Sequence, residues 1–196
     1  MAWEKWFEVF LEEAKEQLKT APKVSPVHKI DHLLRVWNKA KILCEKLNGD
    51  LELMVSAVLL HDLGRHQGLE IHGEKSAELA KPILEKHNFP KEKISKVLEA
   101  ISQHDYNFPA EKRTLLESKI LYDADKLDVF GVIGVYRHII FYMEKKQTPI
   151  SEILTMLEKR FNGLVLEESR ELAKPDHDYI VTFFKTLQNE LSNGAD

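Results

Sequence analysis

Apolar residues recur with the period of an α-helix over most of the chain. Trp6, Phe10 and Leu18 fall on one face of an N-terminal helix, and the same spacing returns between Ile30 and Leu47. The later apolar positions predict further helices over residues 77–87, 94–104, 113–122, 126–145, 151–160 and 177–191. No segment alternates apolar and polar residues over a useful length, so the pattern predicts an all-α fold.

Length and composition favour one intracellular domain. The chain has 196 residues and a net charge of -4, with charges of both signs interspersed. This length suits a single domain over residues 1–196, and the absence of a basic face argues against nucleic-acid and membrane partners. The N-terminus lacks the apolar region of a secretory signal, and Cys44 has no second cysteine to pair with, so we expect a cytoplasmic protein. The oligomeric state is left open.

Three His-Asp dipeptides are the first candidates for chemistry. They are His61-Asp62, His104-Asp105 and His177-Asp178. The first follows an apolar run over residues 51–60, which predicts a buried helix, and Gly64 stands where a left-handed helix cap is expected. The third follows Pro175 in a polar stretch that we interpret as the start of a surface helix. The first pair is therefore the one expected to emerge from the core.

Two further polar features interrupt apolar helical patterns. A buried ionisable group costs several kcal/mol unless it is paired or bound to a metal. His32 shares a helical face with Arg35, although a solvated side of an amphipathic helix explains that face equally well. Residues 123–128 hold three acids, among them Asp125. These carboxylates repel one another unless a cation balances their charge. A capped helix junction is the alternative for this cluster.

The ordered set of His32, His61-Asp62 and Asp125 resembles the H…HD…D signature of the HD-domain superfamily of metal-dependent phosphohydrolases. The resemblance covers roughly residues 24–143, with N-terminal and C-terminal helices added to this core, and its blocks are residues 28–36, 59–64 and 123–128. It implies a compact multi-helix bundle with a central site in which these four residues ligate one divalent ion. Two imidazoles and two carboxylates suit manganese, iron, magnesium or zinc.

The resemblance also leaves room for a second ion. His72 and His104 fall where HD proteins with two metals place their additional histidines, and Asp62 would then bridge the two ions. On this interpretation the pairing of His104 with Asp105 is incidental. The alternative makes His72 a residue at a helix start and His104 a cation at a helix end.

The implied reaction is the hydrolysis of a small phosphorylated metabolite, with a nucleotide as the leading candidate and a phosphomonoester or pyrophosphate bond as the target. Arg35, Arg65 and Lys126 lie close in sequence to ligands and are candidate partners of the substrate phosphates. A solvated surface position is the alternative for Arg35, and Lys126 can simply neutralise the acid cluster.

The residues after the HD pair bear on which group transfers the proton. Some HD hydrolases carry a glutamate a few residues after the HD pair, but this chain continues with Leu63-Gly64-Arg65-His66-Gln67. That departure leaves His66, Glu74 or the metal-bound hydroxide itself as the proton carrier, and Asp62, His66 and Glu74 are the predicted catalytic residues. Two other functions use the same residues: a di-iron oxygenase, as some HD proteins with six ligands are, and a non-catalytic domain that binds a metal or a ligand.

Overall fold

The computed structural model describes residues 2–21 and 29–193, so residues 24–28 of the stretch with the HD signature lie outside it. The helices are α1 Ala2–Thr20, α2 Ile30–Leu47, α3 Leu51–Leu60, α4 Gly73–Lys86, α5 Lys91–Ser102, α6 Leu116–Leu127, α7 Gly131–His138, α8 Ile150–Asn162 and α9 Glu167–Asn193. A π-helix, Ile139–Lys145, continues α7. The described residues contain no strand, which confirms the all-α prediction. None of these helices is long and apolar enough to span a membrane.

The chain divides into two compact units, Met1–Ala124 and Asp125–Asp196. In the first unit α3 packs against α1, α2, α4 and α5, and α4 packs against α5. In the second unit α7 and α8 pack against α9. The expectation of a single domain stays a prediction.

The central helix of the first unit is α3, and it is buried from Leu53 to its end at Leu60. Its start is capped by Asp50, whose carboxylate accepts the backbone N–H groups of Glu52 at 3.0 Å and Leu53 at 3.1 Å. Lys93 in α5 pairs with Asp50 at 2.8 Å. The helix therefore starts at a fixed residue and delivers its C-terminal end to the interior of the unit.

Most predicted helix boundaries shift by a few residues, and two differ more strongly from the sequence prediction. The helix predicted over residues 126–145 is interrupted after Leu127, and the chain re-enters helix at Gly131 with φ +68°, a conformation that favours glycine. The last helix starts at Glu167 rather than at His177, with Pro175 inside it. The prediction that the third His-Asp pair opens a surface helix is wrong, because His177 is buried in the middle of α9 and stacks on Phe161.

Candidate metal centre

Five of the predicted ligands converge in the interior of the first unit. His32 comes from α2, His61 and Asp62 follow the end of α3, His72 directly precedes α4, and His104 follows the end of α5. All five residues are buried, and each is at most 5% exposed. Four separate helix ends or faces thus bring imidazoles and a carboxylate into one buried place.

The carboxylate of Asp62 is the centre of this arrangement. Its Oδ1 atom lies 2.9 Å from Nε2 of His72 and 3.6 Å from Nε2 of His61, and its Oδ2 atom lies 3.6 Å from Nε2 of His32. The ligand atoms form two groups of three, His32 with His61 and Asp62, and Asp62 with His72 and His104. Within each group the atoms lie within 4.8 Å of one another. Both groups share Asp62 and are compatible with a divalent metal ion.

Backbone carbonyls hold the histidine rings in one orientation. The Nδ1–H groups donate as follows: His61 to Val58 at 2.7 Å, His104 to Ile101 at 2.6 Å, and His72 to Glu70 at 3.0 Å. Since a carbonyl oxygen only accepts, the proton of each ring is on Nδ1 and the lone pair of a neutral ring is on Nε2. This is the arrangement by which metal-ligating histidines are usually oriented.

The Nε2 atoms of His72 and His104 lie 3.0 Å apart. Two neutral rings with lone pairs on these atoms repel each other at that distance, so the contact favours a positive charge there, as a proton or a metal ion. Burial alone would lower the pKa of His72, but the hydrogen bond to Asp62 and the charges of Asp62 and Asp105 raise it above its usual value. The acidic groups around His72 thus favour a cation at this place.

The alternative roles of these two histidines are met only in part. His72 precedes α4, but its side chain makes no capping hydrogen bond to that helix and points to Asp62 instead. His104 does bond a carbonyl at the end of α5 through Nδ1, while its Nε2 atom faces His72. Both side chains therefore present Nε2 to the same buried place.

Asp105 supports the backbone next to the centre, a role that the interpretation of its pairing with His104 as incidental to the motif does not include. Its Oδ2 atom accepts the backbone N–H groups of His72 at 2.8 Å and Gly73 at 2.6 Å, and the residue is 5% exposed. The carboxylate therefore fixes the start of α4, from which His72 reaches the centre. Sequence reasoning missed this role because the contact joins residues more than 30 positions apart.

Gly64 does not adopt the left-handed conformation expected from the sequence. Its φ and ψ of -68° and -32° are right-handed, and its N–H donates to Oγ of Ser76 at 3.0 Å. A Cβ atom there would lie 2.9 Å from the carbonyl oxygen of His72. Glycine is needed because the turn after Asp62 touches the backbone at the start of α4.

The two candidate proton carriers are placed differently. His66 is buried in a short 3₁₀ turn, and its Nδ1 atom has no hydrogen-bond partner in the described part of the chain. Burial lowers the pKa of His66; the carboxylate of Asp62 opposes the shift and the ring of His61 reinforces it. Glu74 is exposed in the first turn of α4.

A cavity of about 470 Å³ opens beside α4. Its walls are formed by Ile71, Glu74, Lys75, Glu78, Ser102, Asp105, Asn107, Phe108 and Pro109. The cavity thus contains one candidate proton carrier, Glu74, and adjoins the centre through Asp105, which holds the backbone of His72.

The predicted phosphate partners in the first unit lie near the ends of the helices that carry ligands. Arg35 is half-buried in α2, with a guanidinium nitrogen 4.0 Å from Asp31. Arg65 follows the HD pair and donates to the carbonyl oxygen of Glu70 at 3.3 Å. Both cations have other contacts, and their role toward a substrate stays a prediction.

Asp125 and Lys126 belong to the second unit, at the end of α6. Lys126 pairs with the carboxylate of Asp125 at 2.7 Å, as expected if it neutralises the acid cluster. The place of Asp125 in the ligand set stays a prediction from the family resemblance, as does a role for Lys126 in binding phosphate.

Comparison with known proteins gives a consistent result. The family model described as HD domain matches residues 30–129. YpgQ, an uncharacterized protein of Bacillus subtilis, is 24% identical over 178 residues, an alignment that covers 84% of this chain and 84% of YpgQ. The structure of YpgQ in complex with ADP matches with a TM-score of 0.71 and 24% identity, and the match covers 90% of this chain and 97% of YpgQ. A predicted HD superfamily hydrolase from an uncultured Thermotogales bacterium is 26% identical, with a TM-score of 0.66 and 93% and 91% coverage. An HD-superfamily hydrolase from Bacillus thuringiensis is 23% identical, with a TM-score of 0.76 and 98% and 99% coverage.

Proposed function

The chain belongs to the HD-domain family, and from that premise we propose that it is a metal-dependent phosphohydrolase acting on a small phosphorylated metabolite, in the first place a nucleotide. One observation carries the proposal: the Nε2 atoms of His72 and His104 lie 3.0 Å apart beside the carboxylate of Asp62, in a buried place that favours a cation. Since backbone carbonyls accept from Nδ1 of both rings, each Nε2 atom would donate its lone pair to a metal ion once it has lost any proton.

Our assignment of ligands follows the two groups that share Asp62. His32, His61 and Asp62 would hold one ion, with Asp125 as the fourth ligand that the family resemblance implies, and Asp62, His72 and His104 would hold a second. Nitrogen and carboxylate donors together suit manganese, iron, magnesium or zinc. A divalent ion bound there lowers the pKa of a coordinated water and polarises a phosphoryl oxygen.

The protein's own groups would orient the substrate and move the proton. His66 suits a proton acceptor because burial lowers the pKa of its ring and its Nδ1 atom makes no hydrogen bond in the described residues. Glu74 is the alternative, since it faces the neighbouring cavity. Arg35, Arg65 and Lys126 are proposed to meet the substrate phosphates.

A nucleotide is favoured as substrate by the similarity to YpgQ, whose crystal structure contains ADP. We propose cleavage of a phosphomonoester or pyrophosphate bond, so that the products are a dephosphorylated or shortened nucleotide and phosphate or pyrophosphate. The cavity beside α4 has both apolar and polar walls, and it is large enough to hold part of a nucleotide.

The test is release of phosphate and pyrophosphate from a panel of nucleotides by metal-free protein to which each divalent ion is added. His61→Ala and Asp62→Ala are expected to abolish release, because each removes a donor from the centre. His87→Ala is the matched control, since His87 follows the end of α4 opposite His72 and bonds Glu13 of α1. Full activity of either centre variant would refute the proposal.

The two groups sharing Asp62 also suit a pair of irons, which keeps a di-iron oxygenase as the second candidate. That enzyme consumes oxygen with two bound irons, whereas a hydrolase works without oxygen. Activity under anaerobic conditions would exclude the oxygenase. Tight nucleotide binding without any product would favour a non-catalytic domain.

A further inference from the structure

We propose that Arg113 is a positioning residue that sets the distance between His72 and His104, by holding the segment that carries His104 and Asp105. The inference rests on the proposed metal centre for its consequence, but its structural part stands on contacts within the first unit. Arg113 has no motif that marks it, and sequence reasoning did not single it out.

The guanidinium of Arg113 is enclosed by the segment that follows α5. Its Nε and Nη2 atoms donate to the carbonyl oxygen of Gln103 at 3.0 and 2.9 Å, and Nη2 lies 3.4 Å from the carbonyl oxygens of Asp105 and Phe108. Its plane lies 4.0 Å from the ring centre of Tyr122. The residue is only 2% exposed.

A buried guanidinium is costly to desolvate, and its donors must all be met. Here backbone carbonyls accept from Nε and Nη2 and an aromatic ring lies against the guanidinium, so the segment from Gln103 to Phe108 surrounds one fixed charge. A lysine at this position would place its N–H donors on one nitrogen, which cannot reach several carbonyl oxygens as the planar guanidinium does.

The residues held by Arg113 are those that connect to the centre. His104 lies between the two carbonyls of Gln103 and Asp105, and the Asp105 carboxylate accepts the N–H groups of His72 and Gly73. One side chain therefore fixes both partners of the 3.0 Å contact between Nε2 atoms, His104 through its neighbours in the chain and His72 through Asp105.

The backbones of α4 and α5 are closely packed where the two helices meet. A Cβ atom on Gly73 would lie 2.6 Å from the carbonyl oxygen of Ser102. Because these backbones touch, a displacement of the segment after Ser102 moves the start of α4 as well, and the two histidines move with their backbones.

The experiment compares Arg113→Lys and Arg113→Gln with wild type and with Leu157→Ala, a variant that creates a cavity in the core of the second unit and lowers stability there. Hydrogen exchange of metal-free protein is measured by mass spectrometry. We expect faster exchange confined to residues 70–76 and 103–112 in both arginine variants. In Leu157→Ala the exchange of those residues is expected to stay as in wild type, apart from any uniform change.

Manganese binding is then titrated against a chelator for the same four proteins. Loss of a residue that orients ligands typically weakens metal binding by about 10–100-fold, and this loss is expected for both arginine variants but not for Leu157→Ala. Wild-type exchange and affinity in Arg113→Lys would overturn the inference, as would an exchange increase spread over the whole chain. Absence of metal binding by wild type would refute the proposed function instead, and the exchange result would still decide the positioning role. If Arg113→Gln does not fold, Arg113→Lys alone decides.

Discussion

A methyl group added at Gly64 tests how closely the turn after the HD pair is pressed against the start of α4. The new Cβ atom would lie 2.9 Å from the carbonyl oxygen of His72 and 3.1 Å from the backbone nitrogen of Ser76. Both are backbone atoms, so no side-chain rotation relieves the contact. The φ and ψ of -68° and -32° are allowed for alanine, and the cost is therefore steric rather than conformational.

The expected size of the effect follows from two opposing contributions. Overpacking of a close-packed interior typically costs about 1–3 kcal/mol. Replacing glycine by alanine reduces the entropy of the unfolded chain and offsets about 0.4–1 kcal/mol of this cost. A net loss of about 1–2 kcal/mol remains, which for a chain of this length lowers the Tm by about 2–8 °C.

The assay is thermal unfolding of Gly64→Ala in the presence of a chelator, followed by the rise in Tm when manganese is added. Gly68→Ala is the control, because its φ of +90° strains alanine while nothing lies within 4 Å of the new Cβ atom. It is expected to lose roughly 1 kcal/mol from backbone strain and to keep the wild-type response to manganese. Gly64→Ala is expected to lose part of that response, since it displaces His72. A Tm of Gly64→Ala at or above that of wild type would refute the reasoning.

Three further predictions concern pH and metal. Burial, reinforced by the positive charge of Arg160, lowers the pKa of His138 to about 4. As pH falls below about 6.5, His138 therefore gains its proton in the unfolded state first, and the free energy of unfolding decreases. Between pH 7 and about pH 5, wild type should lose about 2 kcal/mol more of this free energy than His138→Gln, as measured by chemical denaturation. Burial opposes the shift of Asp50, but the hydrogen bond from Lys93 lowers its pKa, so Asp50→Ala should cost about 1 kcal/mol at neutral pH and progressively less below about pH 4, as urea unfolding would show. Manganese at about a hundred times its Kd should stabilise wild type by about 2.7 kcal/mol in a thermal shift measurement and leave His61→Ala almost unchanged; equal shifts would contradict the ligand role.

Sequence periodicity predicts the helices and the position of the HD pair because both leave a local signal. The apolar run from residue 51 to 60 does end where His61 and Asp62 reach the interior, and the imidazoles of His72 and His104 do come to Asp62. Boundaries were less well predicted, since Pro175 looks like a helix start although it lies inside α9.

The supporting residues of the centre carry no such local signal. Asp105 acts on backbone N–H groups more than 30 positions away, and Arg113 acts on carbonyl oxygens, which every residue has. The sequence predicts a helix cap at Gly64, whereas the folded backbone shows a close approach of this glycine to His72. Contacts between distant backbones are decided by packing, which periodicity does not describe.

The central claim is that the buried cluster around Asp62 binds a divalent metal ion. Its most direct test is the anomalous scattering of manganese in crystals of the protein, measured at the manganese absorption edge. We predict a peak at roughly 2.0–2.3 Å from Nε2 of His61 and from a carboxylate oxygen of Asp62, which is the usual range of such ligand distances. A map whose peaks all lie away from these two side chains, at a manganese concentration that supports hydrolysis, would contradict the claim.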